Sequence, residues 1–487
     1  MAASLYSIAE LRALERTAQH GLAAGTLMAR AGAAAALHIH AVKHGNPLSI
    51  CVLAGAGNNG GDGYITAAQL KALQHDVTCI QIAEPRTDDA RVAFAQWRAS
   101  GGATQVDLPN RRFDVIVDAL LGIGQTRALE GPLLTAARWI DDQRAGVIAL
   151  DVPSGLDADT GSWVEGVEGV HASSTITFIG DKPGLHTGDG VDAAGAVSVE
   201  TLGLSSPPAQ TTLTDPFDFA EVTSPRRRNT HKGSYGNATI VGGNVGMVGA
   251  ALLAARAALR IGAGRVYVDC IGATEYRVDP CQPELMFRSS VEPAGIQAIC
   301  VGCGLGTDAA AVAAVQRSLQ SDTALVIDAD ALNLLAGDVA MIGQLNARAA
   351  PTVVTPHPLE AARMLACSVN EIQANRVKAA RTLSARYRAV VVLKGAGTVI
   401  AQADGRCAIN PTGGPALATA GTGDVLAGLL AGLLAQRFDP WQAALAAVWL
   451  HGRGADHVDI GLVASDIAAR AAHELNGLRK RSAGIGA

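Results

Sequence analysis

Aromatic side chains make up only 4% of the 487 residues, charged ones 17%, and proline fills just 19 positions. With so few aromatics and charges the core falls to aliphatic residues, which the 49% hydrophobic share supplies in quantity. This excludes a disordered chain, whose apolar content would be too low to offset the entropy of ordering. Positive charge is not in surplus: 39 Lys and Arg against 44 Asp and Glu give a net charge of −5. A nucleic-acid binder, which needs a basic face for phosphates, is therefore not expected. No apolar run reaches the ~18 residues a membrane span takes. The best candidate, Val425 to Ala435, is short and interrupted by Gly428 and Gly432. Glu10, Arg12, Glu15 and Arg16 stand where a secretory leader would have its apolar core, so no signal peptide is expected. The eight cysteines are scattered, several in strand-like apolar runs such as those around Cys51 and Cys79. That argues against a disulfide framework and for a reducing cytoplasm. Cys300 and Cys303 form a CxxC with no second pair at zinc spacing, and read as two thiols near a strand end.

What the chain does have is length for two or three domains and 55 glycines, too few prolines accompanying them for low complexity. Continuous apolar runs recur at Ser49–Ala54, Val77–Ile82, Val115–Leu120, Val147–Leu150 and Ser174–Ile179. Helical stretches at Ile65–Gln74, Asp89–Ala99 and Leu133–Gln143 separate most of them. Strands that are apolar without alternation predict a parallel sheet covered on both faces. The period fails after Leu204, in a stretch rich in Pro, Ser and Thr, and residues 206–225 read as a linker between a domain at 1–205 and another at 226–487. Arg226–Arg228 at its end reads as a solvated hinge. A second α/β pattern follows, with strands at Ala238–Val241, Arg265–Val268, Ala298–Val301, Ala324–Ile327, Thr352–Thr355 and Ala389–Leu393. Its helices are expected at Ala250–Ile261, Asp424–Gln436, Trp441–Asp456 and Ala464–Gly477.

The first half carries its chemistry at strand ends. CVLAGAGNNGGDGYITAAQL runs strand, glycine loop, helix; Gly55 and Gly57 allow a tight turn. Gly60, Gly61 and Gly63 are expected to leave backbone N–H groups open to an anion at the helix start. Asn58, Asn59 and Asp62 crowd the same loop with oxygens that a diphosphate does not need, which suggests a hard cation alongside. Asp118, Asp151 with Ser154, and Asp181 with Lys182 follow at later strand ends, where a parallel sheet gathers residues into one crevice. Any one of these could be a cap or an Asx turn, and Asp157 and Asp159 read as such; several at successive strand ends point to a ligand site.

GAGNNGGDG, VDALLGIG and DVPSGLDADTG resemble the motifs of the YjeF N-terminal family of NAD(P)H-hydrate epimerases, and the similarity runs from about LMARAG (Leu27–Gly32) to Leu204. The resemblance implies a Rossmann-like αβα fold and a potassium ion near Asn59, Asp118 and Ser154. It also implies substrate contacts from Asn58, Asn59, Gly60, Gly61 and Asp62, from Gly122, Ile123, Gly124, Gln125, Thr126, Arg127 and Ala128, and from Asp151. The epimerised carbon bears a hydroxyl next to the ring nitrogen, so an acid or base at that hydroxyl could open and re-close the hemiaminal. Asp118, Asp151 and Lys182 are the candidates, and the residues alone do not choose among them.

In the second half, THKGSYGNATIVGGNVGMVGAALLAARAALRIGAG puts a glycine loop between a strand and a long Ala-rich helix. Close ligand approach and close helix packing both account for it. VLKGAGT suits a nucleotide phosphate or adenine edge. In GTGD, Gly421, Thr422 and Gly423 would present N–H groups at a helix start with Asp424 in its first turn. Asp424 could be a charge on the helix dipole, worth ~0.3–1 kcal/mol, or a base beside an anion hole, taking a proton from a hydroxyl as phosphate is delivered to it. GTGD resembles the anion hole of ribokinase-like kinases. Together with TPHPLE (Thr355–Glu360), VGCGLG (Val301–Gly306), DADALN (Asp328–Asn333) and KGAGT, it is similar to the ADP-dependent NAD(P)H-hydrate dehydratases over roughly Asp218 to Gly477.

That resemblance implies a ribokinase-like α/β domain, hydrate contacts at Ala250, Gly306, His357 and Asp424, and nucleotide contacts at Lys394, Gly395, Ala396, Gly397, Thr398 and Gly423. His357 alone would read as a satisfied loop histidine. The family usually has TPHPGE, and here Leu359 replaces that glycine. If the glycine supplies a positive φ the loop must rearrange; if it supplies clearance, Leu359 narrows the pocket. The expected activity is bifunctional repair of hydrated nicotinamide coenzymes, using ADP with Mg²⁺. The partners expected are NAD(P)H hydrates and ADP, in a cytoplasmic homo-oligomer with no nucleic acid and no membrane. The rivals are a ribokinase-class small-molecule kinase with an attached Rossmann-like domain, and a non-catalytic binding module in the N-terminal half.

Overall fold

Strand residues with no polar face need cover on both sides, and the computed structural model shows how they obtain it. It describes residues 3–42, 44–273, 275–288 and 295–484. The chain divides into two compact units, Ser4–Thr211 and Thr212–Ala487, the latter also taking in Ala3 near the N-terminus.

The first unit holds a seven-stranded, fully parallel sheet in the order Thr104–Gln105, Asp76–Gln81, Ser49–Ala54, Val115–Ala119, Gly146–Leu150, Ser174–Phe178, Ala196–Glu200. Alternate residues serve two cores. Ile50, Val52 and Ala54 pack with helices Thr26–Ala41, Asn58–Ala72 and Asp88–Ala99, while Cys51 and Leu53 pack toward Gly131–Asp141. The chain leaves Ser49–Ala54 toward one edge and returns at Val115–Ala119 on its other side. The order therefore reverses between these two strands, and the crevice beyond their carboxyl ends is where such sheets bind ligands.

The second unit repeats the plan. Seven parallel strands run Val390–Leu393, Thr352–Val354, Ala324–Ile327, Ala298–Val301, Asn237–Gly242, Arg265–Cys270, Met286–Phe287. The antiparallel hairpin Val399–Ala401 and Cys407–Ile409 extends the first edge, with Thr211–Leu213 beyond it. The reversal falls between Asn237–Gly242 and Ala298–Val301. On one face, helices Val248–Arg260, Thr422–Ala435, Pro440–Arg453 and Ala464–Ser482 build an Ala- and Leu-rich core. Added methyls at Gly428 and Gly432 would lie 2.1 Å from Ala254 O and 2.4 Å from Ile261 Cγ2, so these glycines set the distance between two helices. No described helix is long and apolar enough to cross a membrane.

The strand positions read from the sequence hold to within a residue or two. Three features differ. Helix Asn58–Ala72 begins seven residues ahead of the expected Ile65 and takes in the glycines read as a loop. Phe219 and Val222, inside the expected linker, are fully buried in the core of the second unit on short helical segments Pro216–Phe219 and Ala220–Thr223. They are isolated apolar residues in a polar stretch, too few to show a period. Arg226, expected in a solvated hinge, is docked: its guanidinium lies 3.7 Å over the Tyr235 ring and donates to Gly262 O at 2.8 Å.

Candidate functional sites

At the first reversal, Gly57 begins helix Asn58–Ala72 without a side-chain cap, and Gly61 N–H is the first to find an intrahelical acceptor, Gly57 O at 3.2 Å. The N–H groups of Asn58, Asn59 and Gly60 are left at the helix start. Gly61 and Gly63, expected to offer N–H groups as well, instead provide clearance. An added methyl would lie 2.5 Å from Met28 Cε at Gly61 and 2.6 Å from Ala119 Cβ at Gly63. At Gly60 it would lie 2.0 Å from Gly55 O, so this glycine lets the strand end turn tightly under the helix.

Beside this helix start lies a cavity of about 970 Å³, lined among others by Glu15, Asn58, Asn59, Asp62, Gly122 and Asp151. Ile123, Gly124 and Gln125 also line it; Gly60, Gly61, Thr126, Arg127 and Ala128 do not. Of the three acid–base candidates, only Asp151 does. Its backbone is held at φ 69°, a strained value for a non-glycine residue. Its Oδ2 accepts from Ile123 N–H at 3.1 Å and its Oδ1 pairs with Lys182 Nζ at 2.9 Å. Lys182 is fully buried, and its ammonium also donates to Thr177 Oγ1, Phe178 O and Gly180 O. All its hydrogens are engaged, so it holds Asp151 rather than reaching substrate. Asp118 is likewise fully buried, taking Ser154 N–H at 2.8 Å, Ser154 Oγ–H at 2.7 Å and Leu120 N–H at 3.1 Å; burial pushes its carboxyl up to about 6.

Asn59, Asp118 and Ser154 meet around Leu121. Asn59 Nδ2 donates to Leu121 O at 2.9 Å and Ser154 Oγ accepts Leu121 N–H at 2.9 Å. Asn59 Oδ1 is buried with no hydrogen-bond partner among the described residues, a cost that a native site normally removes with water or an ion. An orphaned amide oxygen next to a buried carboxylate and a hydroxyl is the hard oxygen set that a group-one cation takes, so these residues fit one.

In the second unit, helix Thr422–Ala435 starts after Gly421 at φ 88°, again with no side-chain cap; Val425 N–H bonds Gly421 O at 3.1 Å, leaving those of Thr422, Gly423 and Asp424. His451 fastens this turn through Nε2, 2.9 Å from Thr422 O, and burial pushes it down to about 4, so it acts as a neutral donor. Lys394 Nζ lies against the same turn, 3.3 Å from where a Gly423 methyl would be. It pairs with Asp328 at 2.8 Å and stands 3.9 Å from Glu360. Polar groups of Cys303, Asp328 and Asp424 lie within 4.8 Å of one another. Burial, then the Asp328 charge, push the Asp424 carboxyl up to about 6.

The other expected contacts fall around this point. Gly306, at φ 77°, donates its N–H to Asp330 at 2.8 Å, and a methyl on it would lie 2.8 Å from Asn244 Nδ2. Ala250 sits at the open start of Val248–Arg260, where Gly249 has free space, while the body of that helix is packed; the two readings of this segment each describe one part of it. Gly395, Ala396, Gly397 and Thr398 form the tip before strand Val399–Ala401. The buried Arg376 guanidinium supports this tip, donating to Leu393 O and Lys394 O, and leaves no room for a side chain at Gly395. His357 caps helix Pro358–Leu365, its Nδ1 accepting from Leu359 and Glu360 N–H. Leu359 lies within that helix, without a positive φ, and is 45% exposed. The helical backbone there does not need a glycine.

Residues 238–474 match the family described as NAD(P)H-hydrate dehydratase, and residues 24–184 match the YjeF-related protein N-terminus. The bifunctional NAD(P)H-hydrate repair enzyme Nnr of Escherichia coli (strain K12) is 38% identical over 453 residues, covering 90% of this chain and 85% of the relative. The chain belongs to this family of bifunctional repair enzymes. The Nnr of Coxiella burnetii is 35% identical, covering 95% of this chain and 97% of its own length. Among solved structures, the ADP/ATP-dependent NAD(P)H-hydrate dehydratase from Bacillus subtilis, co-crystallised with ATP/Mg²⁺, is 34% identical with a TM-score of 0.47, over 54% of this chain and 96% of that one.

For a member of the bifunctional repair family, sequence reasoning left out several groups that the fold brings in. Glu15 enters the first cavity from the N-terminal helix Ile8–Gln19, a surface helix whose charges look ordinary in sequence. Cys303 and Asp328 reach Asp424 from strand ends more than 90 positions away, and a buried thiol gives no signal of that contact.

Proposed function

We propose that this protein repairs hydrated nicotinamide coenzymes: the N-terminal unit interconverts R and S hydrates, and the C-terminal unit dehydrates the S form using ADP. The observation that carries this reading is the placement of Asp424, a carboxyl raised toward neutrality, in the first turn of an uncapped helix beside Lys394. The free N–H groups of that turn and Lys394 suit a phosphoryl group, and Asp424 suits the hydroxyl that attacks it.

Asp424 takes the proton of the C6 hydroxyl as that oxygen bonds to the β-phosphorus of ADP and the bond to AMP breaks. The helix-start amides hold the charge that develops on phosphoryl oxygens. Phosphate then departs with the C6–O electrons, driven by the ring nitrogen's lone pair, and loss of the C5 proton restores the double bond of NAD(P)H. A hydroxide-like leaving group has become phosphate. Mg²⁺ would enter with the nucleotide and neutralise its phosphates; Asp328 is already engaged by Lys394 and by Thr355 Oγ1–H, and we assign no protein ligand to the ion.

In the N-terminal unit, Asn59 Oδ1, Asp118 and Ser154 would hold potassium, which would supply positive charge next to an anionic coenzyme. Asp151 lines the cavity as the group that meets the C6 hydroxyl. The eight free cysteines support a reducing, cytoplasmic setting.

The test is to give the full chain ADP, Mg²⁺ and a mixture of both hydrates. Near-ultraviolet absorbance of the dihydropyridine should return completely, in a fast phase for S and a slower one for R. A kinase acting on an unrelated alcohol would return none, and a non-catalytic N-terminal module would leave the R phase at its spontaneous rate. Replacing potassium by a bulky organic cation should slow the R phase alone; an R phase indifferent to the exchange refutes the ion's assignment to the first unit.

A further inference from the structure

The carboxyl groups around the first cavity are not equivalent. Asp151 is ion-paired with a buried lysine and accepts a backbone N–H. Asp118 is enclosed and fully engaged by Ser154 and Leu120. Glu15 has Arg12 and Arg16 beside it. Asp62 differs from all three. It projects from the second turn of helix Asn58–Ala72 into the cavity lining, and no hydrogen bond or ion pair from a described residue reaches its carboxyl. The charges that act on it are those of Asp151, Glu15 and Asp89, all acids; Arg12 lines the same cavity and acts on Glu15, and Lys182 is turned to Asp151.

A half-buried carboxyl that lines the cavity among acids, with no ion pair of its own, is pushed toward the neutral form; burial first and the Asp151 charge second raise it well above the ordinary carboxylate range. A raised, unpaired carboxyl and an ion-paired one on the same cavity supply an acid and a base. We propose that, in the epimerisation assigned above, Asp62 is the proton donor and Asp151 the proton acceptor, working at the two ends of the C6–N1 bond.

Asp151 takes the proton from the C6 hydroxyl, and the O–H electrons become the second bond of a carbonyl. The C6–N1 bond breaks, its pair passes to N1, and N1 takes the proton of Asp62. Rotation about C5–C6 turns the aldehyde's other face to N1. Re-closure runs the transfers backwards, returning one proton to Asp62 and one to oxygen, so both side chains end as they began with no redox change.

The proposal rests on the epimerase reading, and one experiment separates the two. In the full chain, R-hydrate turnover is measured under excess ADP for wild type, Asp62→Asn and Asp62→Glu, with S-hydrate turnover as the internal reference. Asp62→Asn should cut kcat for the R hydrate by ~10²–10⁴-fold with little change in KM, and Asp62→Glu should restore part of it. The fall of the wild-type R rate on the alkaline side, where Asp62 loses its proton, should vanish in Asp62→Asn. Near-wild-type kcat in Asp62→Asn overturns the proposal. So does a loss expressed in KM, or one that Glu does not relieve, since either assigns Asp62 to binding or folding. If wild type itself leaves the R hydrate at its spontaneous rate, the epimerase reading has failed and this inference with it.

Discussion

Asp424→Asn should lower S-hydrate dehydration by ~10²–10⁴-fold, the usual worth of a positioned base, while the Michaelis constant for ADP changes little. Asparagine keeps the shape and the helix start but cannot accept the hydroxyl proton. The pH dependence follows from the sign of the shift. Burial and Asp328 raise this carboxyl to about 6, and the active form is the deprotonated one. Dehydration should therefore fall as pH drops through about 6 and level off above it, where an unshifted aspartate would hold its rate to below pH 5. The measurement is kcat for the S hydrate from acid to neutral pH, in wild type and in Asp424→Asn. A variant retaining more than a tenth of wild-type kcat removes Asp424 from the chemistry.

Lys182→Met should have the second-largest effect, in the other unit. The methionine nearly matches the volume but leaves Asp151 without its cation and Thr177, Phe178 and Gly180 without their donor. Breaking a buried ion pair on one side costs about 3–5 kcal/mol. Asp151 keeps some exposure, 13% of its side chain, which places the cost at the lower end of that range. R-hydrate turnover should fall to its spontaneous rate and S-hydrate turnover should survive. Denaturant unfolding followed in wild type and in Lys182→Met reads the stability loss directly. A stable Lys182→Met protein with normal R-hydrate turnover would show that Asp151 needs no counter-charge.

How much of this was legible in sequence depends on what kind of signal each residue leaves. The parallel strands announce themselves, because a strand buried on both faces must be apolar at every position; Ala298–Val301 and Ala324–Ile327 were read at their observed bounds. Strand-end carboxylates were legible for the same reason, since a charge closing an apolar run has few structural uses. The start of helix Asn58–Ala72 was not. Five of its first six residues are Gly or Asn, poor helix formers, and it holds because the glycines fit against Gly55, Met28 and Ala119. Tertiary contact overrode propensity there. Partnering was invisible too: nothing in VIVDALL, DVPSG or TFIGDKPG separates an enclosed Asp118 from a cavity-facing Asp151 or a saturated Lys182. Leu359 was legible as a departure, but only the helical backbone showed that no positive φ is required there.

Every residue that lines the first cavity, from Leu11 to Leu202, precedes Thr212, from which nearly all of the second unit is built. The ribosome has thus emitted all the parts of that chamber before it reaches Asn237–Gly242, the first of the seven parallel strands of the next sheet. Domains generally fold as units, the N-terminal one first during synthesis, so the leading unit can assemble while the trailing one is still being translated. Truncations in the gene's second half would spare the former and silence the latter.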